Sequence, residues 1–368
     1  MKFLLNKKYI CFINAVILVS LIINILTFKV CAVETYNEDE VKNAIEQIFV
    51  NRNKAILDGD LKLLEDIYDK DTKYGIWAYE YEEKKMEYIR NWEEKQGIKF
   101  IDIVPKIMML KVRQRSDGEL LVNLNCSTQY RYSYIDSPKK INVFRIGTSH
   151  VLNIMKRDNK WIITKEWYKD PFADSLKINN LKIDSIKQYI LSQNKKDLSN
   201  IDKRRKSAIE YADRYCGLAS EEKYGCSYNR KYRNYNYQGG DCANFASQIL
   251  FEGAKFKKNS AWNYDKSGAT RAWLNADGFK NYMIYSGRGY AIAYGSYEKV
   301  YKAAYKLLPG DFIAYEKKGD ITHISMVTGL DSKGYPLVTC HNTDRDKVPW
   351  DLGWNDKNIK FWIIRVNY

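Results

Sequence analysis

Histidine is scarce in this chain: three residues in 368, His150, His323 and His341. Any acid–base chemistry near neutral pH therefore has few carriers. Cysteines at metal-binding spacing are missing altogether: no C-x-x-C and no paired Cys/His pattern occurs, which argues against a zinc site. Neither metal nor cofactor is expected. There is also no internal repeat and no DNA- or RNA-binding motif. The basic excess, 60 Lys and Arg against 45 Asp and Glu for a net charge of +15, is thus read as attraction to a polyanion other than nucleic acid.

What the sequence does hold is a cysteine placed for chemistry. Gly239 to Gln248, GGDCANFASQ, opens an amphipathic helix with Cys242 in its first turn. Ala243, Phe245, Ala246, Ile249 and Leu250 give that helix its apolar face, Asp241 is suited to cap it, and Gly253 to end it. The free N–H groups and partial positive charge of a helix start lower a thiol pKa, so the expectation is a nucleophilic Cys242.

Two histidines follow it. His323 lies in a strand, Ile321 to Thr328, that follows a first strand, Phe312 to Tyr315, across the turn Lys317 to Asp320; His341 lies on the next strand, PLVTCHNT. The loop Asp331-Ser332-Lys333-Gly334 fits a type I turn with a left-handed glycine. It would pair Asp331 with Tyr335 and set His341 opposite Ser325, so that His323 and His341 share one face as diagonal neighbours roughly 7 to 8 Å apart. Cys340 and Asn342 would point the other way. A loop of even length would instead bring Asn342 beside His323, because a one-residue slip flips every side chain. The expected site is Cys242 as nucleophile, His323 as base, His341 as orienting group and Asn342 in reserve. The Cys242 N–H and the Gln238 side-chain amide are candidate oxyanion donors.

A cysteine opening a helix, followed by histidine and a further polar residue on consecutive strands, resembles the papain-like cell-wall hydrolases of the NlpC and CHAP type. The closest resemblance is to the bacterial family described as "Putative amidase domain". It is carried by SAIEYADRYCG, GGDCANFASQILFEGA, LLPGDFIAY, THISMVTG and TCHNTDR, and runs from Ile201 to Tyr368. It implies Cys242 as nucleophile, His323 as base and His341 as third residue, with Asp311 structural.

At the other end, Lys2, Lys7 and Lys8 precede an apolar run from Tyr9 to Phe28, then Val30-Cys31-Ala32. That is the pattern of a signal peptide over residues 1–32, or of an uncleaved anchor, and it implies an exported bacterial protein, secreted or at the cell surface. Of seven cysteines, five lie beyond this leader, so at least one thiol is free; Cys216 and Cys226 have the spacing to close a short disulfide loop.

After the leader the chain has room for two cores. Residues 34 to 70 carry helical periodicity, and Lys99 to Val112, Leu120 to Tyr134, Val143 to Lys156 and Lys160 to Trp167 read as strands. This α+β order resembles the cystatin-like cone of the SnoaL-like superfamily, most visibly in HVLNIMKRDNKWIITKEWY. The expected organisation is an accessory α+β domain, 34–175, a connector, 176–200, and a papain-like domain, 201–368, whose nucleophile helix packs on an antiparallel sheet. His150 reads as a strand residue. The function expected is exported, cysteine-dependent hydrolysis of an amide in peptidoglycan, at the muramoyl-alanine bond or within the stem peptide. A wall-binding scaffold without turnover and a transglutaminase-like acyl transferase are the alternatives. Anionic wall polymers are the partners expected from charge, with membrane contact only through residues 1–32.

Overall fold

The computed structural model describes residues 36–115, 117–169, 171–172, 182–236, 238–354 and 358–368. The expected leader, and the connector up to residue 181, lie outside them. The chain divides into two compact units, Met1–Asn43 and Ala44–Tyr368. In the first, the Asn37 side chain accepts from the N–H groups of Asp39 and Glu40 at the start of α1, Glu38–Asp58. All later elements belong to the second unit.

α2 (Leu61–Glu65) is capped by Asp60, whose carboxylate accepts from Leu63 N–H. α3 (Lys73–Gln96) is 24 residues long. It starts on Thr72, whose hydroxyl accepts from Gly75 N–H at 3.1 Å, and stops at Gly97, which takes the left-handed conformation at φ 69°. Four antiparallel strands come next, β1 (Ile98–Gln114), β2 (Leu120–Tyr134), β3 (Ser137–Arg157) and β4 (Lys160–Tyr168), close to where the alternation placed them except that β3 begins at Ser137 rather than Val143. α4 (Ile183–Leu191) occupies part of the connector and buries Ile186 and Ile190.

The remaining elements are α5 (Lys203–Tyr215), α6 (Cys242–Gln248) running on into a π turn over Ile249–Gly253, the short strands β5 (Tyr264–Asp265) and β6 (Gly268–Ala269), α7 (Arg271–Leu274), α8 (Ala276–Tyr285), β7 (Gly289–Gly295) and α9 (Tyr297–Ala304). The last five strands are β8 (Phe312–Lys317), β9 (Asp320–Leu330), β10 (Pro336–Cys340), β11 (Asp344–Pro349) and β12 (Ile359–Val366).

β3 joins the two halves. One of its edges pairs with β2 throughout; the other is divided between β4, from His150 to Arg157, and β11, which meets Arg145 to Gly147. The result is an α+β fold on a ten-stranded antiparallel sheet, ordered β1-β2-β3-β11-β10-β9-β8-β12-β7 with β4 beside β3. Apolar clusters lie on both faces, as β8 shows: Ile313 and Tyr315 enter one with Trp92, Tyr130, Trp350 and Phe361, while Phe312 and Ala314 enter the other with Cys242, Phe245, Trp262 and Trp273. A strand buried on both faces reads as a continuous apolar run. The cores expected to be separate thus share a sheet, and the first cluster draws on both. Among the described residues no helix is long and apolar enough to cross a membrane.

Candidate active site

The loop before α6 folds back on itself: Gly240 N–H donates to Tyr235 O at 3.1 Å, with Gly239 and Gly240 at φ 93° and 124°. At φ 124° a residue with a Cβ is strained, and a Cβ on Gly240 would also stand 2.5 Å from Asn342 Nδ2, so the position favours glycine. Asp241 does not cap α6 as expected, because its carboxylate is committed elsewhere. Oδ1 accepts from Tyr235 N–H at 2.9 Å and Asn244 Nδ2 at 2.8 Å, and Oδ2 faces His341 Nδ1 at 2.6 Å.

Cys242 is the first residue of α6 and is buried. Backbone N–H groups of Ile324, on β9, and of Ala243 donate toward Sγ, yet burial outweighs them and pushes the thiol up to about 12. The lowered pKa expected from the helix start is corrected by this: seven residues of helix do not offset complete desolvation.

The histidine geometry is also corrected, and a single bulge is the reason. The loop does pair Asp331 with Tyr335, as expected. Two residues on, Leu337 pairs with Gly329 but Val338 pairs with Val327, leaving Thr328 as an extra residue. The slip continues through Thr339 opposite Met326 and exchanges the faces of everything beyond it. Cys340 therefore comes to His323, with Nε2 to Sγ 3.2 Å, on the face where His323 packs against Tyr315 and Trp354. His341 passes to the α6 face and stacks on Phe245 with ring centroids 3.7 Å apart. Cys242 is hydrogen-bonded to neither histidine among the described residues.

His341 is locked between two acceptors, the Asp241 carboxylate at Nδ1 and the Tyr215 carbonyl at Nε2, 2.8 Å away. A proton on each nitrogen satisfies both, so the site favours the imidazolium. Burial opposes that charge, but Asp241 and Asp344 hold its pKa above the ordinary 6.5. A cation without a lone pair cannot orient His323; it anchors the residue before Cys242 to the end of α5. A raised folded-state pKa contributes stability that is complete below the unfolded value and is lost as pH rises through the folded one. His341→Gln is therefore expected to lower stability most at low pH, with the difference from the parent shrinking as pH climbs above 6.5 in urea unfolding.

His323 is neutral, since burial, aided by Arg345 and Lys169, lowers its pKa well below 6.5. Its Nδ1 has no hydrogen-bond partner among the described residues. Burial pushes the Cys340 thiol up to about 11. Asn342, at φ 88°, accepts from Asp241 N–H through Oδ1 and so braces the nucleophile loop rather than a histidine. Gln238 is exposed in the turn before Gly239. Asp311 pairs with Arg205 at 2.8 Å and accepts from Val366 N–H, a structural role. Cys216 and Cys226 are free thiols. His150 is a strand residue, but one that bonds Glu166 Oε1 at 2.8 Å and Thr148 Oγ1 at 2.7 Å. The sequence reading missed two participants, Cys340 and Asp241 as the partner of His341; Asp241 adjoins Cys242 in sequence, whereas only the Thr328 bulge reveals Cys340.

Residues 202–364 match the family model described as "Putative amidase domain". The carboxy-terminal part of this chain is amidase-like. It is also similar to the uncharacterized protein YhbB of Bacillus subtilis (strain 168), 29% identical over 164 residues, covering 42% of this chain and 50% of that protein. The chain thus spans about half the length of the curated relative it matches. Solved structures similar to parts of the chain include the intermembrane space region of chloroplast protein ARC6, at 14% identity and TM-score 0.25 over 34% of this chain and 94% of that one. Another is an NTF-2 like protein from Shewanella oneidensis MR-1, at 16% identity and TM-score 0.21 over 35% and 98%. Such scores are too low to argue a shared fold.

Proposed function

We propose that the amidase-like part is a cysteine-dependent hydrolase of an amide bond in peptidoglycan, in an exported protein, with Cys242 as nucleophile. The observation that carries this reading is Cys242 at the start of α6, its sulfur facing the backbone N–H groups of Ala243 and Ile324, the latter adjoining His323 in sequence. In this reading the thiol gives its proton to His323, sulfur adds to the amide carbonyl, and the C–N bond breaks with the proton passing to the leaving amine. Water then hydrolyses the thioester and regenerates the thiol. Cys340 takes the orienting part in the tautomer that directs Nε2–H at its sulfur, which leaves the lone pair of His323 on Nδ1 to receive the proton. The two groups must still meet. Cys242 packs with Ile324 on one face of β9, while His323 packs with Tyr315 on the other, so this mechanism requires His323 to change faces, and the register change at the extra residue Thr322 is the irregularity nearest to it.

A second reading, a wall-binding protein without turnover, is favoured by one observation: a buried thiol held at about 12 with no histidine on it is the signature of an inert cysteine. Mass spectrometry of soluble products from purified peptidoglycan treated with the full chain separates them. Free stem peptides are the expected product of a muramoyl-alanine amidase, and shortened stems that of an endopeptidase; no release favours binding alone.

A further inference from the structure

A groove of about 360 Å³ runs beside the nucleophile loop, and its walls come from both halves of the sheet. One wall is Asn236, Gly239 and Asn342, the segment that sets Asp241 and Cys242. The other is Trp167, at the end of β4, and Lys169 just beyond it. A larger depression, about 630 Å³, lies over the strands β2 to β4, away from the cysteine, and shares only Trp167 with this groove.

Three features give the groove a chemical preference. Lys169 is exposed, has no ion-pair partner among the described residues, and lies near enough to depress the His323 pKa. It places an uncommitted positive charge on the wall of the groove. Asp344, which also lines the groove, is buried; its Oδ2 accepts from Leu218 N–H at 2.8 Å and from Tyr228, but its Oδ1 has no hydrogen-bond partner among the described residues. A buried acceptor left unpaired asks for a donor from a ligand. Trp167 is 65% exposed at the rim, a flat surface suited to the apolar face of a sugar ring.

We infer that this groove is the substrate subsite of the amidase-like part, and that it takes a peptide bearing a free carboxylate and still joined to its sugar. The carboxylate pairs with Lys169, a peptide N–H donates to Asp344 Oδ1, and the sugar lies on Trp167. The identity of the ligand rests on the peptidoglycan reading. Two of the three residues that read it, Trp167 and Lys169, come from the first half of the chain, so that half is part of the recognition surface as well as of the sheet.

The test separates recognition from turnover by measuring binding in the full chain carrying Cys242→Ala. The probes are a disaccharide-peptide released from peptidoglycan by a muramidase and the same fragment with its carboxylates converted to amides, titrated calorimetrically. Lys169→Ala is expected to weaken the acid probe about tenfold and to leave the amidated probe unchanged. Equal loss on both probes, equal affinity of both proteins for the acid probe, or no saturable binding of the acid probe each overturns the proposal. Because cleavage is not the readout, a failure of the cysteine mechanism appears separately, as an unmutated chain that binds the fragment and releases nothing.

Discussion

Replacing Cys242 with alanine is expected to reduce peptidoglycan hydrolysis to background, a fall on the order of a thousandfold or more, since no other group in the mechanism can form the thioester. Stability should change little. The sulfur is buried at the junction of α6 and β9, and its loss to a methyl group costs about 1 kcal/mol, so the unfolding midpoint moves by a few degrees at most. The same residue makes a sharper prediction in the unmodified chain. With the thiol held at about 12, iodoacetamide at neutral pH should leave Cys242 unlabelled while substrate is absent. An accessible low-pKa thiol would react well below about pH 8.5, so fast labelling would contradict the buried arrangement. A Cys242→Ala protein that still releases peptides would remove the residue from the mechanism.

The parts of this molecule legible in the sequence are those set by local periodicity and turns. The four strands β1 to β4, the helix opening at Cys242 and the pairing of Asp331 with Tyr335 all follow from alternation, glycine placement and turn chemistry. α3 was not legible because its inward face carries Glu82, Lys85, Lys95 and Gln96 among its apolar residues, each buried through partners distant in sequence. A charge on an inward face breaks the apolar stripe on which periodicity depends. The site failed to be legible at one place for a different reason. Thr328, in THISMVTG, looks like any strand residue, yet its bulge exchanges Cys340 for His341 beside His323. Nothing local distinguishes a paired threonine from an unpaired one. The joining of the halves was hidden likewise, since the edge pairing of β3 with β11 links residues about two hundred positions apart in sequence.

That joining leads to the second large effect. Lys95, on α3, and Asp351, just after β11, are wholly buried and form an ion pair. Asp351 also accepts from Trp92 Nε1 at 3.1 Å and from Tyr335 hydroxyl at 2.7 Å, while Lys95 donates to Tyr297 hydroxyl at 3.1 Å. Burial lowers the Lys95 pKa and Asp351 counters it. Removing one member leaves the other charge in a dry interior, which costs about 3 to 5 kcal/mol, more than an exposed pair contributes by several-fold. Lys95→Met is therefore expected to move the urea midpoint strongly downward. Tryptophan fluorescence, which samples Trp92 and Trp350 in the same cluster, should move together with far-ultraviolet circular dichroism. One coincident transition would mean that both halves unfold as a unit; two separated transitions would mean that the sheet is shared without cooperativity. A fragment of residues 201–368 loses Lys95 together with the β3 partner of β11, exposing a strand edge and leaving Asp351 buried without its cation. It is expected to aggregate, and a soluble fragment with the parent's urea midpoint would show that Lys95 and β3 contribute nothing to the amidase-like part.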